Sequence, residues 1–479
     1  MASLKSAALI SVGEKYIVFF IQFVSSIALA RLLSPSEIGI FSIGSLILSI
    51  SHALRDLGIS NYIIQEKNLS QARLQSAQTL MVITSWLLAL LAWGGSWWVG
   101  GFYDEPGVGL VLRVLSINFV LLPFGSISMA VLKRSMKFDS LLRINTAATL
   151  VQSGVSVGAC WLGAGFIGLA WGGVAGTLVT VGLALWLGAS GTTFWPGLKE
   201  WRHVLSVGGR FSGASILWEL GLSLPEIVVG RVVSLEAAGF LGRAQGVVGL
   251  AYRSLMEGLT PVLMPHFAKG HREGADLPAH YLKSVCYVSG LTFPIFTCLA
   301  VAMDAIVLLL YGNQWTSAVA PARILCIGSA ILSIAVVTGA VVAGVGEARY
   351  TLRFQLVGQP LKIVLIMIGA FLSLNHVAAG MVVGDLVLCV YSSLVLHRLL
   401  RFSPRSVAAA IGSAIVVAAT AGAACLVGKF MSSGLNSLGV VLSCMLASLV
   451  GWGLGLWMMR HPLGGEIILL AKQRLSSKS

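Results

Sequence analysis

Seven basic residues lie inside long apolar runs of this chain, where an ionised side chain is unfavourable. A charge near the middle of a bilayer costs about 2.5–3.5 kcal/mol on insertion scales, so it usually faces a water-filled cavity or a partner of opposite charge. Guanidinium groups hold several donors in one plane, an arrangement that matches phosphate or pyrophosphate. The pattern therefore favours an anionic ligand. The seven residues are Arg55, Arg113, Arg210, Arg243, Arg253, Arg323 and Lys362.

Five of these cations are predicted to bind the ligand in a shared cationic cavity: Arg55, Arg113, Arg253, Arg323 and Lys362. Simpler alternatives remain open. Arg55 is next to Asp56, so the two can form a local ion pair. Arg113, Arg323 and Lys362 stand toward the ends of their runs, from which a long side chain can reach the membrane surface. Arg253 is one helical turn from Glu257, a spacing that suits an ion pair on one helix face.

Acidic residues within the runs are fewer, and four of them are candidates for binding H⁺ or Na⁺ as a coupling ion: Asp56, Glu219, Glu226 and Asp385. Glu219 and Glu226 are seven residues apart, on one helix face, with Pro225 between them. A proline removes a backbone hydrogen bond, and interrupted helices of this kind occur at ion sites in transporters. The alternative is that Glu226 neutralises Arg231 or an arginine of the following run.

The elements that must position these charges are fourteen apolar runs, each read as a membrane span. About twenty apolar residues are needed for a helix to cross the hydrocarbon region. The runs are 16–33, 38–64, 75–99, 108–131, 144–162, 166–188, 206–230, 239–262, 284–303, 317–343, 356–374, 377–397, 407–428 and 438–459.

Basic residues are sorted between alternate loops of these spans. One side of the membrane holds 22 Lys and Arg residues, whereas the other holds Arg31, Arg231 and Lys429. Basic loops stay in the cytoplasm, so both termini are predicted to be cytoplasmic. The same sorting accounts for most of the net charge of +14, and nucleic acid is not expected as a partner.

The composition excludes several other classes of protein. A hydrophobic fraction of 57% with only 10% charged residues predicts an integral membrane protein. The seven cysteines form no CxxC pair and the eight histidines no metal or triad spacing, so no metal site, cofactor or enzyme activity is expected. The run 16–33 is interpreted as an uncleaved first span rather than a signal peptide.

The chain also repeats itself weakly at an offset of 200–210 residues. The segment 31–39 matches 231–239 at Arg, Ser and Gly, and Tyr103 and Arg113 correspond to Tyr311 and Arg323. The matched segments are six spans apart. Since six is even, the two repeats should have the same orientation in the membrane.

These observations predict an all-α integral membrane protein of about fourteen transmembrane helices. Two parallel six-helix lobes, 1–190 and 191–400, would enclose a wet, electropositive cavity, and two further helices would follow in 401–479. Such repeats place a ligand site at the interface of the lobes, near the middle of the bilayer.

Four segments resemble the oligosaccharide flippases, the polysaccharide-export branch of the multidrug/oligosaccharidyl-lipid/polysaccharide superfamily. A cytoplasmic Pro261-Val-Leu-Met-Pro265 adds to the likeness. The four are Ala30-Arg-Leu-Leu-Ser-Pro-Ser-Glu-Ile-Gly-Ile-Phe41, Leu54-Arg-Asp-Leu-Gly-Ile-Ser-Asn-Tyr-Ile-Ile-Gln65, Val229-Gly-Arg231 with Ala238-Gly-Phe-Leu-Gly-Arg-Ala244, and Leu310-Tyr-Gly-Asn-Gln-Trp315.

The resemblance implies a MATE-like fold in the bacterial inner membrane. It also implies transfer of an undecaprenyl-pyrophosphate-linked oligosaccharide from the cytoplasmic to the periplasmic leaflet, for surface or exopolysaccharide such as lipopolysaccharide. Membrane lipids, a polysaccharide polymerase and glycosyltransferases are the partners expected with that role. Pro225-Glu226 stands where relatives often carry a polar pair such as Asp-Asn, so ion coupling does not follow from the resemblance.

Three other functions compete with this one. A multidrug cation antiporter of the same superfamily would require an acidic, aromatic cavity, which the excess of arginine disfavours. A membrane polymerase or ligase for the same glycans would require a large outward loop with catalytic groups, and the longest outward connection, 304–316, has Asp304 as its only carboxylate. A scaffold without transport activity is compatible with the sequence.

Overall fold

The computed structural model describes the backbone of residues 4–56, 58–67, 69–188, 197–347 and 349–466. Within these ranges it describes all side chains except those of 4–12, 53, 56, 61, 206–218, 349, 351, 352 and 404. The described residues form fifteen α-helices and one 3₁₀ helix, without strands. The first unit contains α1 (Leu4–Leu32), α2 (Pro35–Asp56), α3 (Ile59–Gln65), α4 (Gln71–Phe102), α5 (Pro106–Arg134), α6 (Phe138–Trp161), α7 (Phe166–Leu187), α8 (Trp201–Val232) and the start of α9 (Leu235–Arg272). The remaining elements are α10 (Leu277–Leu310), the 3₁₀ helix (Asn313–Ala318), α11 (Val319–Gly344), α12 (Arg349–Ala370), α13 (Leu374–Leu400), α14 (Pro404–Met431) and α15 (Ser437–Met458).

The all-helical prediction is confirmed, and thirteen of the fourteen runs coincide with one long helix each. Among the described residues, ten helices are long and apolar enough to cross a membrane. Of the other four long helices, α2, α6 and α9 contain more charged and polar positions, such as Asp139 and Arg143 in α6, and the side chains of α8 are described only in part. The count of fourteen spans therefore stays a prediction.

The second run differs from its prediction as a single helix. Helix α2 ends at Asp56, and α3 begins at Ile59 after Gly58, whose φ of 67° lies in the left-handed region. Only glycine adopts that conformation without steric cost, and it ends the helical ladder at this point. The break places Arg55 in the last turn of α2.

The two turns matched by the repeat use the same local chemistry. The Ser34 hydroxyl accepts from the Glu37 amide at 3.3 Å, and the Glu37 carboxylate accepts from the Ser34 amide at 2.9 Å. This reciprocal capping box starts α2. At the start of α9, the Ser234 hydroxyl likewise accepts from the Ala237 amide at 3.0 Å. The shared Arg and Ser of the motif therefore mark two helix starts.

The chain separates into two compact units, Met1–Gly239 and Phe240–Ser479. In the first unit α4 packs on α5, α5 on α7, and α6 on α7. In the second, α10 packs on α11, α11 on α13, and α12 on α13. These are the same three pairings displaced by six spans, so the internal packing of each unit agrees with the sequence repeat.

The tyrosines of the repeat also occupy equivalent places. Tyr103 caps the C-terminus of α4, Tyr311 caps that of α10, and both are buried. The Tyr103 hydroxyl donates to the Ile227 carbonyl oxygen at 3.1 Å, and burial raises the pKa of Tyr103 to about 12. The phenol therefore stays protonated near neutral pH and holds α8 to the end of α4.

Two elements add to this shared pattern. In the first unit α8 packs on α2, α3 and α4. In the second, α14 and α15 pack on each other and on α10. The lobe boundaries predicted from the runs, 1–190, 191–400 and 401–479, group the spans by sequence repeat and stay a prediction.

Glycines permit the starts of α2 and α9 to cross within the first unit. A Cβ atom built at Gly39 would overlap the Leu235 carbonyl oxygen, and one built at Gly239 would overlap the Pro35 carbonyl oxygen. Both obstacles are backbone atoms, which cannot rotate away. The two glycines matched by the repeat are thus required by the close approach of the two backbones.

Replacing either glycine should destabilise the fold. We expect Gly39→Ala or Gly239→Ala to lower the free energy of unfolding by about 1–3 kcal/mol, because the added methyl forces the helices apart. Thermal unfolding of the detergent-purified chain measures this change. Gly246→Ala is the matched control, since a Cβ there has no atom within 4 Å. Equal melting of all three variants would contradict the packing.

Candidate functional site

A large cavity lies within the second unit, between α10, α11, α13 and α14. Its volume is about 1050 Å³, and its walls are mainly aliphatic side chains. It extends along α14 from Val407 to Lys429, 22 residues or roughly 33 Å of helix at about 1.5 Å per residue. That length is close to the roughly 30 Å hydrocarbon thickness of a bilayer. The cavity therefore forms an apolar groove of membrane length.

Charged residues close one end of this groove. Lys429 Nζ lies 2.7 Å from each carboxylate oxygen of Asp304, and Arg323 Nη2 lies 3.5 Å from Asp304 Oδ1. Arg323 Nε also donates to the Ala300 carbonyl oxygen at 3.1 Å. One carboxylate faces two cations, so this cluster has a net charge of +1. The sorting of basic loops predicts that this cluster is at the outer end of the groove.

At the opposite end, the described lining residues include the imidazole of His397 and no charged cluster. His397 Nδ1 lies 2.6 Å from the Phe402 carbonyl oxygen, in the turn that joins α13 to α14. Phe402 and Val407 line this end together with His397. Arg323 and Lys429 are thus the charged residues among the described lining of the groove, whereas Arg398, Arg401 and Arg405 lie near the other end of α14 without lining the groove.

Two other candidates, one predicted to bind substrate and one to bind a coupling ion, form an ion pair with each other. Lys362 Nζ on α12 lies 2.7 Å from Asp385 Oδ1 on α13, and their side chains are only 18% and 12% exposed. Gly384 leaves room for the lysine stem, since a Cβ there would lie 2.9 Å from both Cβ and Cγ of Lys362. A low-dielectric setting strengthens this attraction, which offsets part of the cost of burying both charges.

The remaining predicted cations have different surroundings. Arg113 on α5 lies over the ring of Trp97 at 5.0 Å, in a cation–π contact, and its Nε donates to the Gly109 carbonyl oxygen at 3.4 Å. Arg253 on α9 is exposed and donates to the Gly249 carbonyl oxygen at 3.3 Å. Arg55 is half-buried, and its carbonyl oxygen accepts from the Thr84 hydroxyl at 3.4 Å.

The other predicted coupling acids lie on the first unit. Glu226 is buried and Glu219 is half-buried on α8, which continues through Pro225 without a break. One turn before Glu226, the hydroxyls of Ser223 and Ser49 are 3.3 Å apart and join α8 to α2. The side chain of Asp56 lies outside the described residues. A chamber shared by the two lobes, and the roles of all nine candidates in it, stay predictions.

Two groups of polar residues were not predicted as site residues. Asp304 and Lys429 were assigned to outward loops. Lys429 is one of only three basic residues assigned to the outer side of the membrane, and this rarity could have indicated a specific partner. Glu14 was missed because it precedes the first apolar run by two residues. In the structure it lines a polar pocket of about 280 Å³ between α1, α6 and α7.

The arrangement defines a multi-pass membrane protein of the fold shared by lipid flippases and multidrug transporters. The lipid II flippase MurJ in an inward closed conformation superposes with a TM-score of 0.76 and 10% identity, covering 94% of this chain and 99% of that structure. An inward-facing multidrug resistance MATE family transporter gives a TM-score of 0.65 and 15% identity, covering 82% of this chain and 98% of that structure. At these identities the likeness concerns the fold alone.

The family is shown by the sequence itself. Residues 28–320 match the model of the polysaccharide biosynthesis protein family, Polysacc_synt_3, and the chain belongs to that family. The lipopolysaccharide biosynthesis protein WzxC of Escherichia coli (strain K12) is 25% identical over 359 residues, 74% of this chain and 72% of the relative. The teichuronic acid biosynthesis protein TuaB of Bacillus subtilis (strain 168) is 22% identical over 305 residues, 61% of each chain. The resemblance predicted from the sequence is confirmed.

The pair of Lys362 and Asp385 can be tested by removing one charge or both. We expect Asp385→Asn to lower the free energy of unfolding by about 3–5 kcal/mol, because the lysine is left buried without its partner. The double variant Lys362→Met/Asp385→Leu should recover most of that loss, as apolar residues of similar volume leave no unpaired charge. Denaturation of the purified chain measures both. A double variant less stable than Asp385→Asn would contradict a mainly electrostatic pair.

Proposed function

We propose that this chain is a flippase for a lipid-linked anionic oligosaccharide, acting in the bacterial inner membrane with both termini in the cytoplasm. It would move a polyprenyl-pyrophosphate-linked glycan from the cytoplasmic to the periplasmic leaflet by alternating access, as a step in surface or exopolysaccharide biosynthesis. Membership of the polysaccharide biosynthesis family supports the class of cargo. The fold shared with a lipid II flippase supports the mode of action.

The membrane-length groove of the second unit is the observation that carries this proposal. Its volume of about 1050 Å³ is at the upper end of the range for ligand pockets, about 300–1,000 Å³. Its aliphatic walls suit a hydrocarbon chain and offer little to a sugar. A cargo with a long apolar tail can place that tail in the groove while its polar part crosses elsewhere.

The charges at the groove's outer end suit the phosphorylated part of such a cargo. Arg323 and Lys429 together exceed the charge of Asp304, so a phosphate near them meets net positive charge. A guanidinium binds phosphate through parallel hydrogen bonds, and a charge-assisted hydrogen bond contributes about 1.5–3 kcal/mol. Arg55 and Arg113 of the first unit are proposed to bind the same phosphates at other points of the cycle.

The same charges argue against the multidrug cation antiporter, the main alternative. A cationic drug at this end of the groove would meet two cations and one carboxylate. The described residues that line the groove also include no Asp or Glu, so a cationic drug would find no acidic partner along its walls. The fold likeness to multidrug transporters leaves that alternative testable, because fold alone does not assign function.

A transport assay tests the proposal directly. Proteoliposomes would receive a fluorescent polyprenyl-pyrophosphate oligosaccharide, and a membrane-impermeant quencher would report how much of it changes leaflet. We expect the wild-type chain to move this lipid and to leave a cationic dye such as ethidium unmoved. Dye movement without lipid movement would favour the antiporter and overturn the proposal.

The predicted phosphate-binding cations can be tested in the same assay. Arg55→Gln, Arg113→Gln and Arg323→Gln should each lower the rate at least about tenfold, since losing one charge-assisted hydrogen bond exceeds about 1.4 kcal/mol. Arg353→Gln is the control, because Arg353 is exposed and lies over Tyr350 at the start of α12. Unchanged melting temperatures establish that folding is intact. Wild-type rates in all three variants would refute the assignment of a cationic substrate site.

A further inference from the structure

Three of the seven cysteines meet at the junction of α10, α14 and α15 in the second unit. Cys298 Sγ on α10 lies 3.5 Å from Cys425 Sγ on α14. The third thiol, that of Cys444 on α15, lies 3.7 Å from the Cys425 carbonyl oxygen, and Cys298 Sγ lies 3.7 Å from the Cys444 carbonyl oxygen. Two thiols that are 127 residues apart in the sequence are therefore in direct contact.

The backbones of α10 and α14 approach each other closely beside these two thiols. One turn before Cys425, a Cβ atom built at Gly422 would lie 2.7 Å from Thr297 Cγ2. Cys425 Sγ itself lies 3.9 Å from the Cys298 carbonyl oxygen. A disulfide needs facing Cα atoms about 4.4–6.8 Å apart, a spacing that only closely packed backbones provide. The close approach at Gly422 therefore favours a covalent link between Cys298 and Cys425.

The thiols of this junction differ in their access to small molecules. Cys425 and Cys444 are fully buried, whereas Cys298 is partly exposed. Cys298 lines a mainly apolar cavity of about 330 Å³ between α9, α10 and α15, together with Ser448. Buried structural cysteines are inert, whereas cysteines that respond to oxidants combine an accessible thiol with a resolving thiol beside it. Cys298 and Cys425 have this second arrangement.

Hydrogen peroxide is an oxidant small enough for this cavity, and it carries no charge that the apolar walls would exclude. The Cys298 sulfur attacks one peroxide oxygen, the O–O bond breaks, and the leaving hydroxide takes the thiol proton, which gives a sulfenic acid and water. The Cys425 sulfur then attacks the Cys298 sulfur, the S–O bond breaks, and the hydroxyl leaves as water with the second thiol proton. The two sulfurs are oxidised to one disulfide, and the peroxide is reduced to two water molecules.

A disulfide at this position would fix one wall of the apolar groove. Thr297 and Val301 of α10 and Leu426 of α14 line the groove and flank the two cysteines. Lys429 Nζ, one turn beyond Cys425, donates to the Val301 carbonyl oxygen at 3.0 Å, so the two helices are already joined at the charged end. The sorting of basic loops predicts that this end faces the periplasm, where disulfides persist.

We propose that Cys298 and Cys425 form a reversible disulfide, made by peroxide and broken by thiols, that locks α14 to α10 and so regulates the groove. The effect of the lock, slower movement of the lipid-linked cargo, rests on the proposed function. The alternative is that the three thiols serve only as small apolar side chains that fill the junction of the helices. They would then stay reduced in peroxide.

Peptide mapping of the full-length chain tests the disulfide without any transport step. The detergent-purified protein is treated with hydrogen peroxide, denatured, alkylated and digested without reduction. We expect the loss of two of the seven alkylatable thiols and a peptide pair joined through Cys298 and Cys425, both reversed by dithiothreitol. Cys326→Ala, which removes another buried thiol of the second unit, is the matched control and should keep the cross-link. Seven free thiols after peroxide, or a pair joined through Cys444, would overturn the proposal.

Single variants separate the accessible thiol from the resolving one. In Cys425→Ala, peroxide should leave Cys298 as a sulfenic acid, which dimedone traps as an adduct. In Cys298→Ser, Cys425 should stay unmodified, because it is fully buried. A dimedone adduct on Cys425 in Cys298→Ser, or none on Cys298 in Cys425→Ala, contradicts these roles. If Cys425→Ala fails to fold, the comparison of the wild type with Cys298→Ser, a nearly isosteric change at a partly exposed position, still decides.

The lipid-transport assay tests the lock and separates it from the proposed function. Peroxide should reduce lipid movement by the wild type in proportion to the fraction cross-linked, and dithiothreitol should restore it. Cys298→Ser should move lipid at the same rate with and without peroxide. Complete cross-linking with unchanged lipid movement would overturn the lock and spare the flippase. A chain that forms the disulfide but never moves the lipid, even when reduced, would sink the flippase and leave the disulfide standing.

Discussion

The cost of placing charge and unpaired backbone groups in hydrocarbon governs this molecule. Without water in the bilayer core, a chain must satisfy its backbone hydrogen bonds internally, which a helix does within one segment. Polar side chains then face the same requirement and must meet a partner, a cavity or the membrane surface. The pairing of Lys362 with Asp385 is one solution, and the cluster of Asp304 with Arg323 and Lys429 is another.

These two solutions have different consequences. The pair of Lys362 and Asp385 is neutral and nearly buried, with space for the lysine stem at Gly384, and it joins α12 to α13. Joining those two helices also fixes the wall that α13 contributes to the groove. The cluster of Asp304, Arg323 and Lys429 has one carboxylate for two cations and is partly exposed. Its positive charge is therefore only partly neutralised at the end of the groove, whereas that of Lys362 is neutralised where α12 and α13 pack.

Most of the fold could be predicted because its signals are local. All but one of the apolar runs became a single long helix, and a motif that begins with Arg31 and recurs at Arg231 lies at two helix starts. The break in the second run depended on one glycine with positive φ, a small signal within an apolar stretch. The repeat was predicted from a few matched residues, and the same helix pairings recur in the packing of each unit.

The candidate site was harder to predict because its contacts are not local. Asp304 and Lys429 are 125 residues apart, and Lys362 and Asp385 are 23 apart, so helical spacing cannot reveal either pair. A charged residue in a membrane span indicates a functional site only when its ion-pair partners are known. A lysine paired with a carboxylate stabilises helix packing, whereas an arginine in a cluster with net positive charge attracts an anion. The hydrogen-bond and ion-pair partners of each predicted cation can be compared within its own unit. Of these cations, Arg323 is the one whose surroundings combine net positive charge with an apolar groove. A phosphate carried on a hydrocarbon tail can use both the positive charge and the apolar groove. A free sugar would not use the apolar groove, and a cationic drug would not use the positive charge.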